Sequence, residues 1–265
     1  MLKLIKSYIP KPIIGIIYKY LRFLRLFFYK GNNFFCPICK FKASKFLSYG
    51  KDYEAIKKFK IISMGFRKNA ICPNCFSKDR ERLLFLFFSY FKNKLYINEN
   101  SSILHFSPEK TLTNYFFRKH FTNYKTSDFF DKKANFKIDL ENTLNHEKKY
   151  DLIICNHVLE HIHNDSQALD NINNLLKNGG HAILLTPYSE LIDDDIYLGK
   201  SLTNKQKLEF YGQNDHVRVY SKKNLIKKIE YAGFDLKLMK REDFCSINKK
   251  MGLIEEEKIF LAKKL

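Results

Sequence analysis

Apolar positions along the chain fall into two regimes. From about residue 100 they form short runs with the length and composition of buried strands, at Ser102–His105, Tyr124–Asp128, Phe136–Asp139, Asp151–Asn156 and His181–Pro187. Between them the spacing turns helical, near 110–120, 164–177 and 222–232. "LLKNGGHAILLTP" reads as a helix, a glycine turn and a buried strand. "YAGFDLKLMK" repeats that order, and "EEKIFLAKKL" closes with a last strand. Strands separated by helices imply parallel βαβ units and a sheet covered on both faces. The expectation over residues 99–265 is an α/β fold with a doubly wound, mostly parallel, seven-stranded sheet.

Upstream the pattern differs. "RERLLFLFFSYFKNK" reads as a strongly apolar helix that links residues 31–98 to the sheet. Residues 1–30 carry Lys and Arg throughout and no acid. The longest uncharged run there, Pro12 to Tyr18, is far below the ~20 residues needed to span a bilayer. No small-residue cleavage site follows it, so a signal peptide is not indicated. Two readings stay open for this leader. It lies on a membrane surface as a basic, aromatic-rich segment, or it packs as a helix on the folded domain.

The 265 residues suffice for one α/β domain and a small extra module. The formal charge of +19 favours anionic partners such as nucleic acid, an anionic membrane surface or a phosphorylated substrate. Lysines spread along the whole chain are equally what a lysine-solvated surface requires. Of six cysteines, Cys155 and Cys245 stand alone, while Cys36/Cys39 and Cys72/Cys75 form "CPIC" and "CPNC". A chain this long is not a small secreted disulfide scaffold, and a reducing cytoplasm is expected. Each C-x-x-C can curl as a knuckle that turns two sulfurs onto one ion, and two knuckles complete a tetrahedral thiolate site. The expectation is one structural Zn2+ on Cys36, Cys39, Cys72 and Cys75, in a zinc-ribbon-like module.

"SSILHFSPEK" ends a strand and opens a helix through a loop without glycine. After it come "NYKTSDFFD", "FKIDLENT", "DLIICNHVLEHI" and "NLLKNGGHAILLTP". In that order these segments resemble the motifs of class I S-adenosylmethionine-dependent methyltransferases, across residues 100–265. The loop and "EFYGQNDHVRVYSKKNLIKKIEYAGFDL" resemble a type 11-like subgroup with an N-terminal cysteine module. The resemblance implies a Rossmann-like fold, S-adenosyl-L-methionine as cofactor, and a cofactor loop at His105, Phe106, Ser107, Pro108 and Glu109. Glu109 would bind the ammonium group. Asp128 would accept the ribose hydroxyls and Asp139 the adenine amino group, with Leu140 donating its N–H. Asn156, His157 and Val158 would flank the cofactor.

These residues also stand at successive strand ends, where open parallel sheets gather ligands. His216, in the polar loop "GQNDHVRVYS", is a candidate base for the acceptor proton, with His161 as the second candidate and Arg218 as an anion-binding partner. The expected function is methyl transfer to a small-molecule or surface-glycan acceptor, as an O-methylation. Two alternatives stand beside it. One is an RNA or DNA methyltransferase, which the charge and the cysteine module suit but for which no Asn-Pro-Pro-Tyr-type motif is present. The other is a cofactor-free, zinc-stabilised binding module.

Overall fold

A computed structural model describes residues 11–142, 146–245 and 249–265. The leader becomes helix α1 (Lys11–Tyr29), which runs directly into strand β1 (Lys30–Phe35). Its apolar side chains are only partly covered: Leu24 and Leu26 are half-buried, while Ile16, Phe23, Phe27 and Phe28 are 65–72% exposed. The helix packs on the domain along one side and leaves its other side open. Its anchors are Arg22, which donates to Asn74 Oδ1 at 2.8 Å, and Arg25, over the ring of Phe76 at 4.1 Å.

Two small antiparallel pairs follow, β1 with β2 (Lys42–Ala43) and β3 (Leu47–Tyr49) with β4 (Arg67–Ile71). Helix α2 (Glu54–Phe59) lies between the last two. Helix α3 (Asp79–Phe91) carries Asp79 and Glu81 in its first turn, where the helix dipole favours carboxylates. Leu83, Leu84, Phe87 and Phe88 of α3 are almost fully buried. They share one core with Ile103, Leu152 and Ile154 of the main sheet and with Cys36 and Cys72. Four such side chains contribute on the order of 6–12 kcal/mol. The cysteine-bearing half and the sheet are thus built on one core.

The main sheet uses β5 (Ile103–Phe106), β6 (Tyr124–Ser127), β7 (Tyr150–Cys155), β8 (Leu176–Ile183), β11 (Phe234–Met239) and β12 (Ile259–Lys264), in the order β11-β12-β8-β7-β5-β6. Only β12 runs against the rest. Alternation sends Ile103 and Ile154 to the α3 face and Leu104 and Ile153 to the opposite core. There they meet helices α5 (Asp165–Leu175) and α7 (Lys222–Tyr231). Helix α4 spans residues 110–120 with a π-helical turn at Thr113–Phe117. Helix α6 (Asn204–Tyr211) and the two-residue strands β9 (Tyr188–Ser189) and β10 (Tyr220–Ser221) complete the described elements that bear on the site.

Two expectations are corrected. The sheet has six strands among the described residues, not seven. The segment Phe136–Asp139 makes only one parallel bridge, Phe136 to Ser127. Side chains occupy the edge there: Asn135 Oδ1 accepts from the Thr126 N–H at 3.0 Å, and Ser127 Oγ accepts from the Ile138 N–H at 3.2 Å. The expected helix–turn–strand at "LLKNGGHAILL" is a strand from Leu176 onward, with a register shift beside Tyr150 and Gly179 at φ +72°.

Candidate active site

The carboxyl ends of β5, β6 and β7 lie side by side, where open α/β sheets take ligands. Beyond Phe106, Ser107 turns the chain at φ +44°, a left-handed conformation usually left to glycine. The loop thus makes the glycine turn with a serine. The Ser107 N–H donates to Ser127 O at 2.8 Å and fixes the turn to the neighbouring strand. Glu109 Oε2 then lies 2.8 Å from His105 Nε2. His105 Nδ1 is 2.9 Å from the Tyr124 hydroxyl, which pairs with Thr113 at 3.0 Å. His105 is fully buried and Phe106 belongs to the core. Both were expected at the cofactor loop; in the structure they are buried under it, with His105 against Glu109. Burial would raise the Glu109 carboxyl, but the hydrogen bond and charge of His105, with Arg80, bring it down to about 2.

Asp128 follows β6 and is half-buried. Its Oδ1 accepts from the N–H groups of Phe130 and Asp131, at 2.8 and 2.7 Å. Asp139 uses both carboxylate oxygens locally, accepting from the Glu141 N–H at 2.9 Å and from Asn142 Nδ2 at 2.7 Å. Leu140 is buried, and its carbonyl accepts from Asn171 Nδ2. Asn156 follows β7 with Nδ2 3.4 Å from Glu109 Oε1, while its own Oδ1 is buried without a hydrogen-bond partner. Val158 packs against the core on the α5 side. Pro108 and Ser107 lie at the surface of the loop, half-buried and exposed.

His157 sits at φ +53° and leads from this edge into a cavity of about 500 Å³. One wall carries His157, Glu160, His161 and His216; Tyr49, Lys51, Tyr53, Arg67 and Arg80 of the cysteine-bearing half line it as well. Glu160 is almost completely buried. Its Oε1 lies 3.2 Å from His157 Nδ1 and 4.0 Å from His216 Nε2, and its Oε2 accepts from the Thr186 hydroxyl at 2.8 Å. Burial opposes its charge, but His157 first and then His216 and His161 hold it at about 2. Burial in turn pushes His216 down to about 4, so its ring is neutral at physiological pH. His161 reaches Asp215 O with Nδ1 at 2.9 Å.

The sequence placed His161 and His216 near the acceptor, and both line this cavity. Arg218 does not: it is buried, pairs with Asp165 at 2.6 Å and donates to the carbonyls of Ile162 and His163. It braces the loop rather than binding an anion. Arg80 was not singled out from the sequence. It lines the cavity, its Nε is buried without a hydrogen-bond partner, and its charge acts on Glu109 and His157. No motif marks it, because a helix start 25 or more positions before the cofactor loop brings it there only through the fold.

The four paired cysteines converge. Cys36 and Cys75 sulfurs are 3.6 Å apart, and those of Cys39 and Cys72 3.7 Å. A tetrahedron of metal–sulfur bonds of about 2.3 Å has edges of about 3.8 Å. The two knuckles match: Lys40 N–H donates to Cys36 O and Phe76 N–H to Cys72 O, with Lys40 and Phe76 at φ +61° and +60°.

A family model described as "Methyltransferase domain" matches residues 76–238. The chain belongs to this family. It is a methyltransferase of the S-adenosylmethionine-dependent kind that its motifs resemble. The match begins in the second cysteine knuckle, ahead of α3. No curated protein matches the chain in sequence. Among solved structures, an S-adenosylmethionine-dependent methyltransferase from Clostridium acetobutylicum ATCC 824 is similar at 14% identity and a TM-score of 0.45, covering 71% of this chain and 92% of that one. The N-methyltransferase NodS from Bradyrhizobium japonicum WM9, in complex with S-adenosyl-L-homocysteine, is similar at 14% identity and a TM-score of 0.41, covering 69% and 85%. These likenesses are distant.

In this methyltransferase the strand-end residues suit the cofactor. Asn156 Oδ1 and the ionised Glu109 form a buried acceptor pair that an ammonium group would satisfy. Among the described residues, no helix is long and apolar enough to cross a membrane.

Proposed function

We propose that this methyltransferase acts on a hydroxyl of a small, sugar-like acceptor held in the cavity beside His157. The observation that carries the reading is the cavity itself. About 500 Å³ suits a small molecule or one or two sugar units, and one of its walls is a Glu–His cluster suited to proton transfer. Glu109 and Asn156 would hold the cofactor's ammonium group, Arg80 its carboxylate, and Asp128 its ribose. When bound, S-adenosylmethionine supplies an electrophilic methyl group, and what remains for the protein is alignment, exclusion of water and removal of the acceptor proton. His216, neutral at physiological pH, and His157, oriented by Glu160, are the groups placed to take that proton. Tyr49, Tyr53 and Lys51 line the cavity, and the lysine would favour an acceptor bearing negative charge.

The reading extends to two further groups. The four cysteines would hold one structural zinc, whose thiolate charge Arg82 beside them would balance. Helix α1, with exposed aromatic and basic side chains, would rest on an anionic bilayer and bring the enzyme to lipid-linked or surface glycans. Sedimentation with anionic vesicles tests this. Binding that persists unchanged when Phe23, Phe27 and Phe28 are replaced by Ser would refute it.

The acceptor is tested by transfer of a labelled methyl group from S-adenosylmethionine into a fractionated lysate. Label in the sugar or glycan fraction is expected. Label confined to RNA or DNA would overturn the small-molecule reading in favour of the nucleic-acid one.

A further inference from the structure

Glu160, His161 and His216 are brought together from two segments 55 positions apart. One potential ligand atom from each lies within 4.8 Å of the others. Ligands at about 2.1 Å from a tetrahedral cation are about 3.4 Å apart, so the three side chains would draw together by up to about an ångström on binding. The surroundings have the form of a supporting shell. Thr186 donates to Glu160 Oε2 at 2.8 Å and leaves Oε1 3.2 Å from His157 Nδ1 and 4.0 Å from His216 Nε2. His161 Nδ1 donates to the Asp215 carbonyl at 2.9 Å, a contact that fixes the tautomer and leaves Nε2 as a lone-pair donor. The Val217 N–H donates to Glu160 O at 2.9 Å and holds the His216 segment against the Glu160 turn. The two imidazole rings meet edge to face with centroids 4.8 Å apart. All three side chains line the same cavity, so the remaining coordination positions would face its interior.

We propose that Glu160, His161 and His216 bind a divalent first-row cation on the wall of the acceptor cavity. Two imidazoles and one carboxylate suit such ions, and three protein ligands leave positions open for water or substrate. This deepens the acceptor reading above and rests on it for the cation's role; with the cation bound His216 is a ligand, and of the two bases named there His157 alone is left to take the proton. A hydroxyl coordinated to the cation is oriented and acidified. Its O–H bond breaks, the electron pair stays on oxygen, and the proton passes to His157 Nε2, a buried nitrogen on the same cavity without a hydrogen-bond partner.

The test is equilibrium dialysis of tag-free, zinc-replete protein against Co2+, read by metal analysis and visible absorption. Co2+ on nitrogen and oxygen lacks the intense thiolate charge-transfer band that exchange into the cysteine cluster would produce. One Co2+ per chain without that band is expected, with affinity falling at least tenfold in both His161→Asn and His216→Asn. His161 is half-exposed, so its variant tests the site even if the buried His216 variant does not fold. No bound Co2+ in the wild type, binding only with the thiolate band, or affinity unchanged in His161→Asn would overturn the proposal. S-adenosylhomocysteine calorimetry on the same samples separates the two readings. Cofactor binding without Co2+ binding ends the cation site alone, whereas its absence from the wild type ends the cofactor-and-acceptor reading on which the cation's role rests.

Discussion

Arg82→Met tests whether the cysteine-bearing half is part of one cooperative fold. Arg82 has no exposed surface. Its guanidinium donates to four backbone carbonyls, those of Ser77, Ala70, Met251 and Gly252, at 2.5, 3.0, 2.8 and 2.6 Å. The same group lies over the Phe46 ring at 4.8 Å. It therefore ties the second cysteine knuckle to the chain near its carboxyl end. Burial lowers its pKa, and the cysteine sulfurs and Asp79 act in the opposite direction. Methionine keeps much of the volume and removes every donor. Each charge-assisted bond contributes ~1.5–3 kcal/mol, but part is returned because a buried cation is no longer desolvated. A net loss of about 3–5 kcal/mol is expected, with Tm lower by roughly 6–20 °C. Urea unfolding followed by circular dichroism measures it, with tyrosine fluorescence as a second probe. A loss under about 1 kcal/mol, or a first transition confined to the knuckles while the sheet stays intact, would refute the single-core argument.

Two further outcomes follow from the same structure. Burial raises the Glu257 carboxyl to about 7, against a lesser lowering by its hydrogen bond from Ser63. Its folded pKa is above the unfolded value, so the protonated form is favoured in the fold and stability falls as pH rises from about 4.5 to about 7. Glu257→Gln should flatten that slope and stabilise the protein by about 1–3 kcal/mol at pH 8; equal melting curves of mutant and wild type at pH 5 and pH 8 would contradict it. Cys36→Ser should lose most of the one zinc per chain found by metal analysis and destabilise the protein by several kcal/mol, because structural metal binding is folding free energy. Wild-type protein with four titratable thiols and no metal would remove the zinc.

Much of the sheet was legible because strand residues such as Ile103–Leu104 and Ile153–Ile154 are buried on both faces, which leaves unbroken apolar runs. The cysteine knuckles were legible from spacing alone. The Phe136–Asp139 strand was misread because its short apolar pattern is that of a strand, while Asn135 and Ser127 side chains intercept the edge. Local pattern carries no record of such competition. Ser107 looked like a departure from a glycine loop, yet it takes the same left-handed turn; sequence shows residue type and not φ. His105 stood in the cofactor motif but is fully buried beneath it. Arg80 and the meeting of Glu160 with His216 depend on long-range packing, and neither has a local signature.

The central claim is that this chain binds S-adenosylmethionine at the ends of β5, β6 and β7. Titration calorimetry with S-adenosylhomocysteine on zinc-replete, nucleic-acid-free protein tests it most directly. One site per chain is predicted. Asp128→Asn, which keeps an acceptor oxygen for the Phe130 and Asp131 N–H groups, should weaken it roughly ten- to a hundredfold while melting stays near wild type, since charge-assisted hydrogen bonds of ~1.5–3 kcal/mol are lost from the ligand. No heat and no melting shift in the wild type at millimolar ligand would contradict the account.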